Sequence, residues 1–114
     1  MNKKIVVMLL IAGLLLTSCS GKKTAEQGSI TEGNTIVISG FAFSPGEITV
    51  NKGDKVKWIN QDDVGHTVTS DAGRELGSGL FGNGESYEHV FDNAGEYGYF
   101  CEPHPYMKGK VIVT

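Results

Sequence analysis

The chain has 114 residues, 10 basic and 13 acidic side chains, a formal net charge of −3 and 39% hydrophobic residues. That length suits one working domain with a modest core. The mildly acidic balance provides neither a footprint for nucleic acid nor a polybasic patch for anionic lipid, so both partners are excluded on charge.

In chain order, the first feature is a leader. Lys3 and Lys4 precede an apolar run from Ile5 to Leu16, too short for a comfortable transmembrane helix but suited to the h-region of an export signal. It ends in Leu16-Thr17-Ser18-Cys19, which resembles the lipobox of bacterial lipoproteins. The resemblance implies removal of residues 1–18, lipidation of Cys19, and export of a lipid-anchored chain to the periplasm or cell exterior. Taking 18 residues from 114 leaves 96, and losing Lys3 and Lys4 leaves 8 basic against 13 acidic groups, a net charge of −5. Cys101 then remains as the only free thiol of two cysteines, so no internal disulfide can form. A lone thiol in an oxidising compartment is a liability unless something, such as a metal, occupies it.

Residues 19–34 are polar and rich in Gly, Ser, Thr and Lys. They are expected to form a flexible tether with a coil-like reach of roughly 20 Å. From Thr35 onward, short Val/Ile/Thr/aromatic runs alternate with Gly, Pro, Asn and Asp clusters, the pattern of strands and turns. Strands are predicted at Thr35–Ser39, Glu47–Val50, Lys55–Asn60, His66–Thr69, Tyr87–Phe91, Gly95–Phe100 and Lys110–Val113. Asp71–Gly84, with five glycines, is predicted as an irregular loop or a short edge strand. Such a succession over residues 35–114 suggests an all-β Greek-key sandwich.

The segment Cys101-Glu102-Pro103-His104-Pro105-Tyr106-Met107 carries the chemistry. Thiolate, imidazole and thioether fall within seven residues at a strand end, and His66 offers a second imidazole 35 residues upstream. A trigonal His₂Cys set with a weak axial Met is the arrangement of blue copper sites. Cys101 and His104 are expected to share a turn, with Met107 returning beneath the metal after one more turn. Pro103 and Pro105 fix two φ angles in that loop.

These residues resemble the cupredoxins, within them the plastocyanin, amicyanin and pseudoazurin group. The Cys-Glu-Pro-His-Pro-Tyr-Met loop is similar to the short ligand loop of amicyanin. Phe43-Ser44-Pro45, Gly53-Asp54-Lys55-Val56-Lys57-Trp58, Asn60, His66 and Gly95–Cys101 match the family's remaining strands. The resemblance implies a sandwich of about eight strands with one copper ion held by His66, Cys101, His104 and Met107. It also places Thr67, Glu102 and Asn60 beside the ligands. Thr67 and Glu102 stand where the family commonly has Asn and Ser or Thr. Glu102 beside the thiolate would lower the reduction potential. Pro103, Pro105 and Tyr106 would form an apolar docking patch around His104.

The implied function is single-electron transfer by a monomer between a redox protein donor and acceptor. The alternative is a copper-binding lipoprotein for storage or delivery without redox cycling. An enzyme is not expected, because a second copper centre would need several histidines and only His89 is left over. By alternation His89 shares a face with Tyr87 and Phe91 and reads as a half-buried structural residue.

Overall fold

The computed structural model describes residues 34–114. The leader, Cys19 and the tether up to residue 33 lie outside the described residues. No helix among the described residues is long and apolar enough to cross a membrane.

Eight strands follow in order: β1 (Thr35–Ile38), β2 (Phe43–Ser44), β3 (Glu47–Val50), β4 (Lys55–Asn60), β5 (Thr69–Ser70), β6 (Ser86–Val90), β7 (Gly95–Cys101) and β8 (His104–Val113). They form two four-stranded sheets, ordered β2-β1-β4-β6 and β3-β8-β7-β5. The pairs β1/β4 and β3/β8 run parallel, and the other pairs are antiparallel. The expected all-β Greek-key sandwich is therefore the fold.

Strand alternation builds the core. Val56, Trp58 and Asn60 of β4 are buried, as are Ile36 and Ile38 of β1, Tyr99 and Cys101 of β7, and Val111 and Val113 of β8. Side chains on one face of a pleated strand recur every second residue, so each run delivers its apolar set to the space between the sheets. Each large apolar side chain so buried contributes about 1.5–3 kcal/mol. Phe43 and Trp58 stand edge-on to Tyr99, with centroids 4.8 and 5.5 Å away, and form the aromatic centre.

Three expectations need correction. The strand predicted at His66–Thr69 shrinks to Thr69–Ser70, because side chains capture its backbone donors. The Thr67 amide points to Cys101 Sγ and the Val68 amide donates to Ser78 Oγ, while His66 keeps only an isolated bridge to Phe81. Second, β8 begins at His104 rather than Lys110, so Met107 lies in the same strand as His104 and not beyond another turn. Pro105 is tolerated there because β3 pairs only with Lys110–Val113, which leaves one side of β8 unpaired at Pro105. Third, β2 was not expected; two residues are too short to show a period. The Asp71–Gly84 stretch forms no strand, only bridges from Gly77 to Thr69 and from Phe81 to His66.

Candidate metal centre

Cys101 ends β7, where the β7/β8 register shifts between Phe100 and Cys101. After the two-residue turn Glu102–Pro103, His104 pairs directly with Cys101. The hairpin thus sets thiol and imidazole side by side. His66 arrives from the loop between β4 and β5, with its backbone anchored to Phe81 through His66 N–H to Phe81 O and Phe81 N–H to His66 O. Cys101 Sγ lies 3.5 Å from His66 Nδ1 and 3.5 Å from His104 Nδ1. The three ligand atoms fall within 4.8 Å of one another.

That spacing fits a metal. A trigonal first-row ion with bonds of about 2.0–2.3 Å to N and S separates its donors by roughly 3.5–3.8 Å. Soft thiolate with two imidazoles is a donor set chosen by copper. His66 and Cys101 are fully buried and His104 is half-buried, so only one ligand imidazole reaches the surface. Met107 is buried in β8.

The surrounding polar groups tie the two ligand loops together. Thr67 N–H approaches Cys101 Sγ at 3.4 Å, and Thr67 Oγ1 accepts the Glu102 amide at 2.8 Å while lying 2.9 Å from Thr69 Oγ1. Threonine therefore bridges the loops here. The Glu102 residue is exposed. Asn60, fully buried, shapes the loop before His66: its Nδ2 donates to Val64 O and Phe81 O, and its Oδ1 accepts the Asp62 amide.

Two residues of the site had no signature in the sequence. Asp62 Oδ2 lies 2.9 Å from His66 Nε2, and its carboxylate also accepts the amides of Gly40 and Phe41. Desolvation pushes the Asp62 pKa up, but the Phe41 amide, the His66 ring and the Gly40 amide outweigh it and hold the group below its ordinary value. Phe41 stands edge-on to both ligand rings, with centroids 5.3 Å from His66 and 4.9 Å from His104. Only proximity in the sequence, Asp62 four residues before a ligand, hinted at the first. Nothing hinted at the second.

Around half-buried His104 the surface is apolar. Tyr106 is 68% exposed, with its ring 6.3 Å from that of His104, and Pro103 and Pro105 are exposed beside it. Phe41, Val64 and Leu80 are further exposed apolar side chains on loops that carry or contact the site. His89 stands apart from the ligand cluster. Its Nε2 lies 2.6 Å from Glu75 Oε2, its ring packs edge-on to Phe91, and it is half-buried as expected.

Fold and site together define a β-sandwich protein with a mononuclear His₂Cys metal centre at the loop end of its strands. Residues 31–114 match the copper-binding proteins of the plastocyanin/azurin family. The chain is 34% identical over 104 residues to an amicyanin from Paracoccus versutus, covering 86% of this chain and 77% of that protein. It is 39% identical over 86 residues to a plastocyanin from Scenedesmus fuscus, covering 64% and 87%. The crystal structure of amicyanin from Paracoccus versutus superimposes with a TM-score of 0.68 at 30% identity, covering 77% of this chain and 87% of that one. The chain belongs to the plastocyanin/azurin family of copper-binding proteins, and its cofactor is one copper ion.

Proposed function

We propose that this protein is a single-electron carrier, with copper held by His66, Cys101, His104 and Met107. One observation carries the reading: both Nδ1 atoms already face Cys101 Sγ at 3.5 Å. Copper supplies a one-electron couple when bound. The chain's part is to hold both oxidation states in nearly one geometry. His66 is fixed by its bridge to Phe81, Cys101 and His104 by a paired hairpin, and the hairpin to the His66 loop by Thr67. A scaffold so tied has little to rearrange when charge changes. Such rigidity supports cycling over the release that storage or delivery requires.

The exposed Pro103, Pro105 and Tyr106, extended by Phe41, Val64 and Leu80, form the surface on which donor and acceptor proteins dock in turn. Partners there approach His104, the one ligand that reaches the surface. We place the domain outside the cytoplasm, tethered by lipid on Cys19, a reading supported by the leader and the Leu16-Thr17-Ser18-Cys19 motif. Replacement of Cys19 by Ala should then release the protein from membranes.

The test is the visible spectrum and voltammetry of the Cu(II)-loaded protein. An intense thiolate-to-copper band with reversible one-electron cycling is expected. A colourless site that holds Cu(I) and exchanges it freely would overturn the carrier reading in favour of delivery. Tyr106→Ala should slow transfer to a docked partner and leave the absorption band unchanged. Loss of the band in that variant would remove the division between docking surface and metal site.

A further inference from the structure

The most unusual backbone near the metal site is at Gly40–Phe41. Both residues have positive φ, 62° and 59°, and they are the central pair of the connection Ser39–Ala42 between β1 and β2, closed by Ser39 N–H to Ala42 O at 3.1 Å. A connection with two left-handed residues is one that Asn-Gly usually fills, and a bulky side chain at such a φ is strained. Strain of this kind persists only where surrounding contacts hold it, and it collects at sites of function. Here the holding contact is Asp62. Its Oδ1 accepts Gly40 N–H at 2.8 Å, and its Oδ2 accepts Phe41 N–H at 2.9 Å. The same Oδ2 lies 2.9 Å from His66 Nε2.

We infer that Asp62 is a positioning residue that both selects the metal-binding tautomer of His66 and seats Phe41 as a cover across His66 and His104. A neutral imidazole carries one N–H. With the carboxylate taking that proton's hydrogen bond at Nε2, Nδ1 is left with its lone pair toward Cys101 Sγ. The carboxylate is itself mounted rigidly: Asp62 N–H donates to buried Asn60 Oδ1, and Asp62 O accepts Asn83 Nδ2. The cover follows from the turn. With φ fixed at Phe41, its ring meets His66 at an interplanar angle of 90° and His104 at 83°. Phe41 remains 40% exposed, so its other side forms part of the outer wall. The charge on Asp62 also favours the more positive oxidation state of copper, and so lowers the potential.

This inference rests on copper being held at His66, Cys101 and His104, and the experiment separates the two. Asp62→Asn keeps the shape, removes the charge, and leaves at least one of three converging donors facing an NH₂ group. Asp62→Ala removes all three acceptor contacts. In the metal-free wild type, ¹⁵N NMR should show the His66 proton on Nε2, and the Phe41 amide should exchange slowly. In Asp62→Ala the tautomers should mix, Phe41 exchange should accelerate at least tenfold, and Cu(II) binding should weaken about 10–100-fold. Asp62→Asn should raise the midpoint potential, and Asp62→Glu should restore it at least in part. If Asp62→Ala does not fold, the wild-type tautomer and the Asp62→Asn potential still decide. A His66 proton on Nδ1 in the metal-free wild type, or a potential and Phe41 exchange unmoved by both substitutions, overturns the role of Asp62. A wild type that forms no copper centre overturns the ligand assignment instead, and the Phe41 exchange rate still tests the seating of the cover.

Discussion

At the scale of single residues, the site separates groups that bind metal from groups that hold the binders. Thr67 belongs to the second kind. Its hydroxyl is the acceptor for the Glu102 amide, and its own amide faces Cys101 Sγ. Thr67→Val keeps the shape and the amide contact but orphans the Glu102 N–H in a part-buried position. Thermal unfolding of the metal-free variant should show a loss of about 1–2 kcal/mol. Met107 can be tested in the opposite sense. Met107→Leu conserves volume, so the metal-free protein should lose less than about 1.5 kcal/mol, while the copper spectrum and potential should shift if the thioether is a ligand. An unchanged spectrum would make Met107 a core residue only. The His66, Cys101 and His104 cluster was legible beforehand because such donors are scarce in the chain and two of them sit within four residues. Asp62 and Phe41 were not, since their contact spans 21 residues and depends on a turn conformation that Phe rarely adopts.

At the scale of elements, β7 and β8 approach so closely that the Tyr99 side chain lies against the backbone of Gly109, where a Cβ would collide with its ring and hydroxyl. Gly109→Ala should therefore destabilise by about 1–3 kcal/mol through overpacking, measured by denaturant unfolding. The Tyr99 hydroxyl is buried without a hydrogen-bond partner among the described residues, as is Trp58 Nε1. Burial pushes its pKa up to about 12 from 10.0, only partly offset by the neighbouring Trp58 indole. A phenol harder to ionise when folded keeps its proton between those values while the unfolded chain loses it. Stability from this group is then flat below pH 10 and falls as pH rises from 10 to about 12, by roughly 2–3 kcal/mol. Tyr99→Phe should flatten that part of the stability curve, and an unchanged alkaline slope would assign it to other groups. Lys55–Asn60 was readable because its alternation is strong, whereas the part of β8 before Lys110 was not, because Pro103 and Pro105 read as a turn. The strand expected around His66 shortens for a physical reason: Val and Thr favour strands locally, but Cys101 Sγ and Ser78 Oγ occupy the amides that a ladder would need.

At the scale of the molecule, the metal adds a further link between the His66 loop and the β7/β8 hairpin, which Thr67 and the β5/β7 pairing already tie together. His66 lies in the loop between β4 of one sheet and β5 of the other, while Cys101 and His104 flank the β7/β8 turn. Cys101 is a free thiol, so no disulfide shares this task among the described residues. The core between the sheets is complete without the ion, since Ile36, Val56, Trp58, Val68, Phe91, Tyr99 and Val111 are all fully buried. The metal-free protein should therefore fold, and its far-ultraviolet spectrum should match that of the copper form. Binding to the native state alone still adds stability by mass action, about 4 kcal/mol when free copper stands a thousandfold above its dissociation constant. For a domain of this size each kcal/mol moves the melting temperature by about 4–8 °C. Calorimetry should then show the copper form melting on the order of 15–30 °C above the metal-free form, with Cys101→Ser abolishing most of the gap. Equal melting temperatures would mean that the ion binds the unfolded chain as well as the native one, or does not bridge these loops. Either result would break the link between the metal centre and the joining of the His66 loop to the β7/β8 hairpin.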